Sequence, residues 1–159
     1  GGQSGVDRAA LDIALDRNIA YAGWCPSGGW AEDFPHPPGL LAKYSLLYET
    51  PLADPAQRTE WTIRDSDAVL IIANPAGQLL SSGTELARGL AQKFQKPLLI
   101  IDLGEPNEVA RAVDWLSARS SQFGSTFALG IGGPRESEAP GIYSKTLKFL
   151  QAVLDRVRC

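Results

Sequence analysis

Asp67-Ala68-Val69-Leu70-Ile71-Ile72-Ala73 is the stretch on which the fold of this chain turns. After Asp67 it is apolar without a break, and Val69, Ile71 and Ile72 are β-branched. An unbroken run of this kind, with no polar alternation, marks a strand buried on both faces, as in a parallel sheet covered by helices. A second such run, Pro97-Leu98-Leu99-Ile100-Ile101-Asp102, follows at the distance of one helix. Between them, Ser82 to Phe94 reads as that helix, with Leu86, Leu90 and Phe94 on one face. Strand, helix and strand in this order predict a βαβ unit with a right-handed crossover.

The alternation continues in both directions. Upstream, Asp54 fits a helix N-cap, Pro55 the first helical position and Gln57 the third, opening a helix to about Arg64. Further back, Val6 to Arg17 reads as a helix burying Val6, Ala10, Ile13 and Ala14, with Arg8, Asp12 and Asp16 on the opposite stripe. Ile19 to Trp24 is a candidate strand. The proline- and glycine-rich segment from Cys25 to Asp54 reads as a long functional loop or lid, with a short strand suggested by Tyr44, Leu46 and Tyr48. Downstream, Glu105 to Arg119 is a helix turning Val109, Val113 and Leu116 inward, and Ser125 to Ile131 is a strand. A last helix, from about Gly141 to Arg158, buries Tyr143, Leu147, Leu150, Leu154 and Val157. The fold class is therefore α/β: a Rossmann-like open three-layer sandwich around a mostly parallel sheet, with residues 67–73 central. Residues 1–159 read as a single domain. The chain opens on Gly1-Gly2 and contains no Met, so a first strand is expected upstream of residue 1.

Composition narrows the function. The 159 residues are 44% hydrophobic and 21% charged, which suits one globular core. The longest apolar runs fall far short of the ~20 residues of a membrane span. Fifteen Lys and Arg against 18 Asp and Glu give a net charge of −3, unlike the basic character of a nucleic-acid binder. Two cysteines, Cys25 and Cys159, and one histidine make neither a disulfide framework nor a zinc site of the usual kind. A reducing cytoplasm is the expected compartment.

In open α/β sheets, ligands bind beyond the carboxyl ends of the strands. Loops rich in glycine and hydroxyl residues fall there: Gly1-Gly2-Gln3-Ser4-Gly5-Val6-Asp7-Arg8, then Ser81-Ser82-Gly83-Thr84-Glu85, then Gly130-Ile131-Gly132-Gly133-Pro134-Arg135-Glu136-Ser137. Glycines let backbone approach a ligand, helix N-termini favour anions, and Arg135 adds a guanidinium suited to an oxyanion. The candidate binding residues are Gly2, Gln3, Ser4, Gly5, Asp7, Arg8, Ser82, Gly83, Thr84, Arg135, Glu136 and Ser137. Each loop also has a plain structural reading. Ser4 with Asp7, and Ser82 with Glu85, fit cap and third-position pairs. Asp7 lies among apolar helix positions and needs a partner, whether a helix N-terminus, an arginine or a ligand hydroxyl; capping is the first of these readings. Arg58, Trp61 and Asp65 share a helix face, read as an Arg58–Asp65 side with Trp61 packed beneath. Glu32-Asp33 reads first as a pair of solvated acids, with a cation or ligand hydroxyls as the alternative partners, and neither His36 nor Cys25 has a neighbour in sequence that makes it catalytic.

Taken together, the motifs resemble the family of molybdenum cofactor carrier proteins. The likeness is carried by Gly1-Gly2-Gln3-Ser4-Gly5-Val6-Asp7-Arg8, Gly23-Trp24-Cys25-Pro26, Ala31-Glu32-Asp33, Tyr48-Glu49-Thr50, Arg58-Thr59-Glu60-Trp61 and Arg64-Asp65-Ser66-Asp67. It continues through Ser82-Gly83-Thr84, Gly133-Pro134-Arg135-Glu136-Ser137 and Pro140-Gly141-Ile142-Tyr143. The family resembles in turn the lysine-decarboxylase-named phosphoribohydrolases. The resemblance implies a bound molybdopterin cofactor held without chemistry, a homo-oligomer (dimer or tetramer), and molybdoenzymes as recipients. Where the family has basic residues after Cys-Pro, this chain has Ser27, Gly29 and Trp30, so that loop is not the expected phosphate grip. The alternatives are a nucleoside-monophosphate phosphoribohydrolase and a nucleotide-sensing module of the same fold. Trp30, Phe34 and Tyr44, on a segment expected at the surface, add a reason to expect association.

Overall fold

A computed structural model describes residues 1–73, 81–124 and 126–157. In chain order the elements are α1 (Val6–Asp16), β1 (Gly23–Cys25), β2 (Leu47–Glu49), α2 (Pro55–Asp65), β3 (Ala68–Ala73), α3 (Ser82–Lys93), β4 (Leu98–Asp102), α4 (Glu108–Phe123), β5 (Leu129–Gly132) and α5 (Ile142–Leu154). Short 3-10 turns at Ser27–Gly29 and Gly39–Ala42 punctuate the long segment between β1 and β2.

The apolar run Ala68–Ala73 is the middle strand of a three-stranded sheet among the described residues. β3 pairs in parallel with β4, from Val69 opposite Leu98 to Ala73 opposite Asp102, and on its other side with β5, from Ala68 opposite Leu129 to Ile71 opposite Gly132. Every residue of β3 is buried. Its side chains divide by the period of two of a pleated strand. Leu70 and Ile72 pack with Val6, Ile13, Leu116, Phe149, Leu150 and Val153, which come from α1, α4 and α5. Val69 and Ile71 pack with Ile63 of α2 and Ala87, Leu90 and Ala91 of α3. Helices on both faces of a parallel sheet are the three-layer sandwich that the apolar run predicted.

The expected strand over 19–24 is shorter and sits elsewhere. Asn18 is left-handed (φ 53°), and the Ile19 amide bonds back to the Ala14 carbonyl at 2.8 Å. Ile19 therefore finishes the end of α1 in the manner of a Schellman turn. What remains, Gly23–Cys25, pairs in parallel with β2 as a separate two-stranded sheet among the described residues. Beneath the long segment lies a third small core of Leu11, Cys25, Ala31, Leu40, Tyr44 and Leu47. Tyr44 is 0% exposed, which corrects its expected place on the surface; Trp30 and Phe34 are half-buried.

Other boundaries move for local reasons. α4 starts at Glu108, because Gly104 bonds to the Asp102 carboxylate and Asn107 adopts a left-handed conformation. β5 starts at Leu129; Ser125 of the expected strand lies outside the described residues, as does Arg158 at the end of the expected last helix. α5 turns Ile142, Thr146, Phe149 and Val153 to the core as well as Leu150, while Leu147, Leu154 and Val157 pack at its margin. No helix among the described residues is long and apolar enough to cross a membrane.

Candidate functional site

A cleft of about 300 Å³ opens beside the carboxyl ends of β3 and β5. Each glycine-rich loop contributes to its wall: Gly1, Gln3 and Asp7 from the first, Ser81 to Thr84 from the second, and Gly132, Gly133 and Arg135 from the third. The remaining wall is α2, through Arg58, Thr59, Thr62 and Ile63. Val69, Ile71 and Ala87 form an apolar lining.

Two glycines make the approach of these loops possible. Gly5 has φ +79°, and a Cβ there would lie 2.5 Å from the Pro134 carbonyl oxygen. The first and third loops are thus pressed together backbone to backbone, with the Val6 amide donating to Pro134 at 3.3 Å. At Gly133 a Cβ would lie 2.4 Å from the Ile72 carbonyl and 2.7 Å from Val6 Cγ2. Both contacts are closer than any side chain tolerates, so glycine is a packing requirement here as much as an opening for a ligand.

Asp7 is buried and accepts a 2.8 Å hydrogen bond from Arg58 Nη1, with the two side chains only 8% and 11% exposed. Capping, its first reading, is overturned: α1 is capped by Gly5 and receives no side-chain cap bond. The partner is an arginine of α2, brought 51 residues in sequence to the first turn of α1. The same pairing corrects the reading of α2. Asp65 takes Arg64 and the Trp24 indole instead, and Trp61 packs edge-on against Trp24 at 4.7 Å. Arg58 is the site residue that the sequence reading missed; its signals were the need of Asp7 for a cation and its place in the Arg58-Thr59-Glu60-Trp61 block of the resemblance. Its Nε is buried and has no hydrogen-bond partner among the described residues, and the same is true of Thr62 Oγ1 one helical turn later.

The second loop is capped one residue earlier than the sequence suggests. Ser81, not Ser82, accepts from the Thr84 amide at 3.3 Å, and its hydroxyl also meets the Thr84 hydroxyl at 2.8 Å. Thr84 is therefore held inward, while Ser82 and Gly83 are exposed along the cleft. Glu85 pairs with Arg88 at 2.8 Å on the outer side of α3.

The other candidates gather away from the cleft. Ser4, Gly5, Arg8, Glu136 and Ser137 line a separate hollow with Asp12, Glu32, Asp33 and Tyr143. Arg8, expected on the solvent stripe of α1, is buried: it forms a forked pair with Asp33 at 2.8 and 2.9 Å, bonds to the Gly2 carbonyl and stacks on Phe34. Asp33 is accordingly an ion-pair partner. Gly2 is buried with Leu40 closest to where a Cβ would stand, and it lines neither opening. Glu136 accepts from the amides of Gly141 and Tyr143 at the start of α5. Glu32 joins the long segment to both loops, accepting from the Ser4 hydroxyl and, at 2.6 Å, from the Ser137 hydroxyl. Burial alone would raise the pKa of Glu32, but the bonds from Ser137 and Ser4 outweigh it and hold the carboxyl below its ordinary range. Asp12 behaves alike: burial works upward, and donation from Lys43, Tyr44 and Tyr143 prevails to lower it. Cys25 is buried, and burial together with nearby Glu49 pushes its thiol up, away from the thiolate a nucleophile needs. His36 is exposed in the long segment.

Residues 1–154 match the model of the circularly permutated YpsA SLOG family. Among solved structures, the chain is similar to a putative molybdenum carrier protein from Syntrophus aciditrophicus SB, at 36% identity and a TM-score of 0.81. The likeness covers 97% of this chain and 91% of the other. No curated protein matches the chain significantly.

Proposed function

We propose, from the premise that this chain belongs to the circularly permutated YpsA SLOG family, that it binds and carries the molybdenum cofactor as a cargo. The phosphate-bearing pterin sits in the cleft and leaves it chemically unchanged. One observation carries this reading: Ser82, Gly83, Gly133 and Arg135 come together around one opening of about 300 Å³. The first turn of α3 offers backbone N–H groups to a terminal phosphate, and Arg135 offers charge-assisted hydrogen bonds to the same group. The volume stands at the lower end of the ~300–1,000 Å³ of small-molecule sites, a size for one nucleotide-like molecule. The crystallised relative, a putative molybdenum carrier protein, supports the choice of cargo.

A hydrolytic reading asks for a carboxylate free to act on a ribose. Among the described residues, the carboxylates lining the cleft are Asp7 and Glu138; Asp7 is engaged by Arg58, and Glu138 accepts from the Arg135 amide at 2.9 Å. Binding is therefore the better use of this geometry. The cargo passes to recipient molybdoenzymes, and the carrier associates with itself. The exposed Leu46, Tyr48 and Leu52 around β2, at 54, 66 and 55%, supply the apolar surface for that association in place of Tyr44.

Native mass spectrometry of freshly purified protein tests the cargo directly, because a retained pterin phosphate appears as its own mass. Arg135→Ala should then weaken binding of that ligand by about 1.5–3 kcal/mol, as for a lost hydrogen bond to a charged group. An unchanged affinity in Arg135→Ala removes the third loop from the site. Release of free base on incubation with AMP would favour the hydrolase instead.

A further inference from the structure

The arginines of the first and third loops and of α2 are held in two different ways. Arg58 commits its guanidinium to Asp7 at 2.8 Å, and Arg8 commits its own to Asp33 and the Gly2 carbonyl. Arg135 is fixed at its backbone instead. Its amide donates to the Glu138 carboxylate at 2.9 Å, and its carbonyl accepts from the amides of Glu138 and Ala139 at 3.1 and 3.0 Å. Among the described residues, no carboxylate or carbonyl takes its guanidinium. What meets that group is the ring of Trp30, with the guanidinium carbon 5.9 Å from the ring centroid.

The contact is built by two segments that run side by side. Glu32, two residues after Trp30, accepts from the Ser137 hydroxyl at 2.6 Å and from the Ser137 amide at 3.4 Å. Ser137 in turn lies two residues after Arg135. Residues 30–32 therefore lie along residues 135–137. Ala31 is buried and exchanges backbone hydrogen bonds with Phe34 at 2.9 and 3.2 Å, which fixes the backbone next to Trp30. The same long segment lays Phe34 over the Arg8 guanidinium at 4.7 Å. The difference lies in what each arginine has left. An aromatic face attracts a guanidinium through its π-system and takes none of its five N–H donors. Arg8 gives its donors to Asp33 as well, whereas Arg135 is held by a ring and keeps its donors for a ligand.

We propose that Trp30 is a positioning residue of the anion end of the cleft, holding the Arg135 guanidinium in place with its donors free for an incoming phosphate. Ser27 to Trp30 include no basic residue, so this part of the long segment serves anion binding through an aromatic face that acts on a cation of another loop. Trp30 is not among the residues lining the cleft, and its effect passes through Arg135 alone. The inference rests on the anion cradle proposed above and deepens it, because a long side chain ordered before the ligand arrives loses less freedom on binding.

The test titrates inorganic phosphate and AMP into the intact protein by calorimetry at fixed salt. The variants are Trp30→Phe, Trp30→Leu, Trp30→Gln, Arg135→Ala and the double variant Trp30→Leu/Arg135→Ala, with melting temperatures recorded to show that each is folded. Trp30→Phe keeps an aromatic face and should bind within about twofold of wild type. Trp30→Leu and Trp30→Gln remove that face and should each weaken both probes by about fivefold, the worth of one such contact. In the Arg135→Ala background, Trp30→Leu should change binding no further, because no guanidinium is left for the ring to hold. A tryptophan that only supports the loop gives the same loss in both backgrounds and the same loss in Trp30→Phe as in Trp30→Leu; either result overturns the proposal. So does wild-type affinity in Trp30→Leu and Trp30→Gln when Arg135→Ala binds more weakly, and the cradle then stands without Trp30. Unchanged binding in Arg135→Ala, or no binding of either probe by wild type, overturns the cradle and the proposal with it.

Discussion

Replacing Arg58 by Met should be the most costly single change at the cleft. Met keeps most of the apolar length of the side chain and removes the guanidinium, which leaves the Asp7 carboxylate buried at 8% exposure with its 2.8 Å partner gone. Breaking a buried ion pair from one side costs about 3–5 kcal/mol, because the remaining charge has lost both water and its counter-charge. For a domain of this length each kcal/mol lowers the melting temperature by roughly 2–4 °C, so the expected fall is roughly 6–20 °C at neutral pH. The second variant locates the cause. Adding Asp7→Asn to Arg58→Met removes the stranded charge, so the double variant should melt above the single one even though it carries one more substitution. Differential scanning calorimetry on wild type, both single variants and the double variant completes the cycle. A loss below about 1 kcal/mol in Arg58→Met, the value of a solvated surface pair, would refute the idea that the pair is shielded from water.

Further outcomes follow from the loops. Ser81→Ala should lower stability by about 1 kcal/mol through loss of the α3 cap, whereas Ser82→Ala, at an exposed position with no cap role, should stay within about 0.5 kcal/mol in urea melts. Gly5→Ala joins a left-handed φ to a clash with the Pro134 carbonyl and should cost about 2–5 kcal/mol; Gly83→Ala meets nothing within 4 Å in a helix and should be neutral or stabilising by up to about 1 kcal/mol, as thermal melts will show. Because the Glu32 carboxyl is held below its ordinary 4.5 in the native state, it adds stability above that pH. This contribution is lost as the pH falls through the lowered native value. Glu32→Gln should therefore flatten the acid limb of a stability–pH curve measured by circular dichroism, and an unaltered limb would show that its bonds to Ser4 and Ser137 do not persist in solution.

The three-layer α/β architecture was legible from local sequence because its signals are local. An unbroken apolar run can hide both of its faces only in the middle of a covered sheet, so residues 68–73 announced β3 without reference to anything distant. Asp54-Pro55 likewise specified the start of α2 by itself, since an N-cap acts on an amide two residues away, here Ala56. Gln57 reaches back as expected of its position, though to the Leu52 amide. The glycines of the first and third loops marked where backbone must come close, but not to what: at Gly5 and Gly133 the neighbour is another loop of the same chain.

Everything that depended on pairing across the fold was left to the tertiary structure. Sequence could say that Asp7 needs a counter-charge; only the docking of α2 against the first turn of α1 made that partner Arg58. The same holds for Arg8, whose place on the helical wheel faces solvent until Asp33 and Phe34 of the long segment close over it. It also holds for the candidate loops, which read as one cradle and are divided between a cleft and a separate hollow. The physical reason is range. Helical periodicity, capping and strand burial act over a few residues and leave their mark within that span, whereas an ion pair between residues 7 and 58 leaves none until the chain has folded.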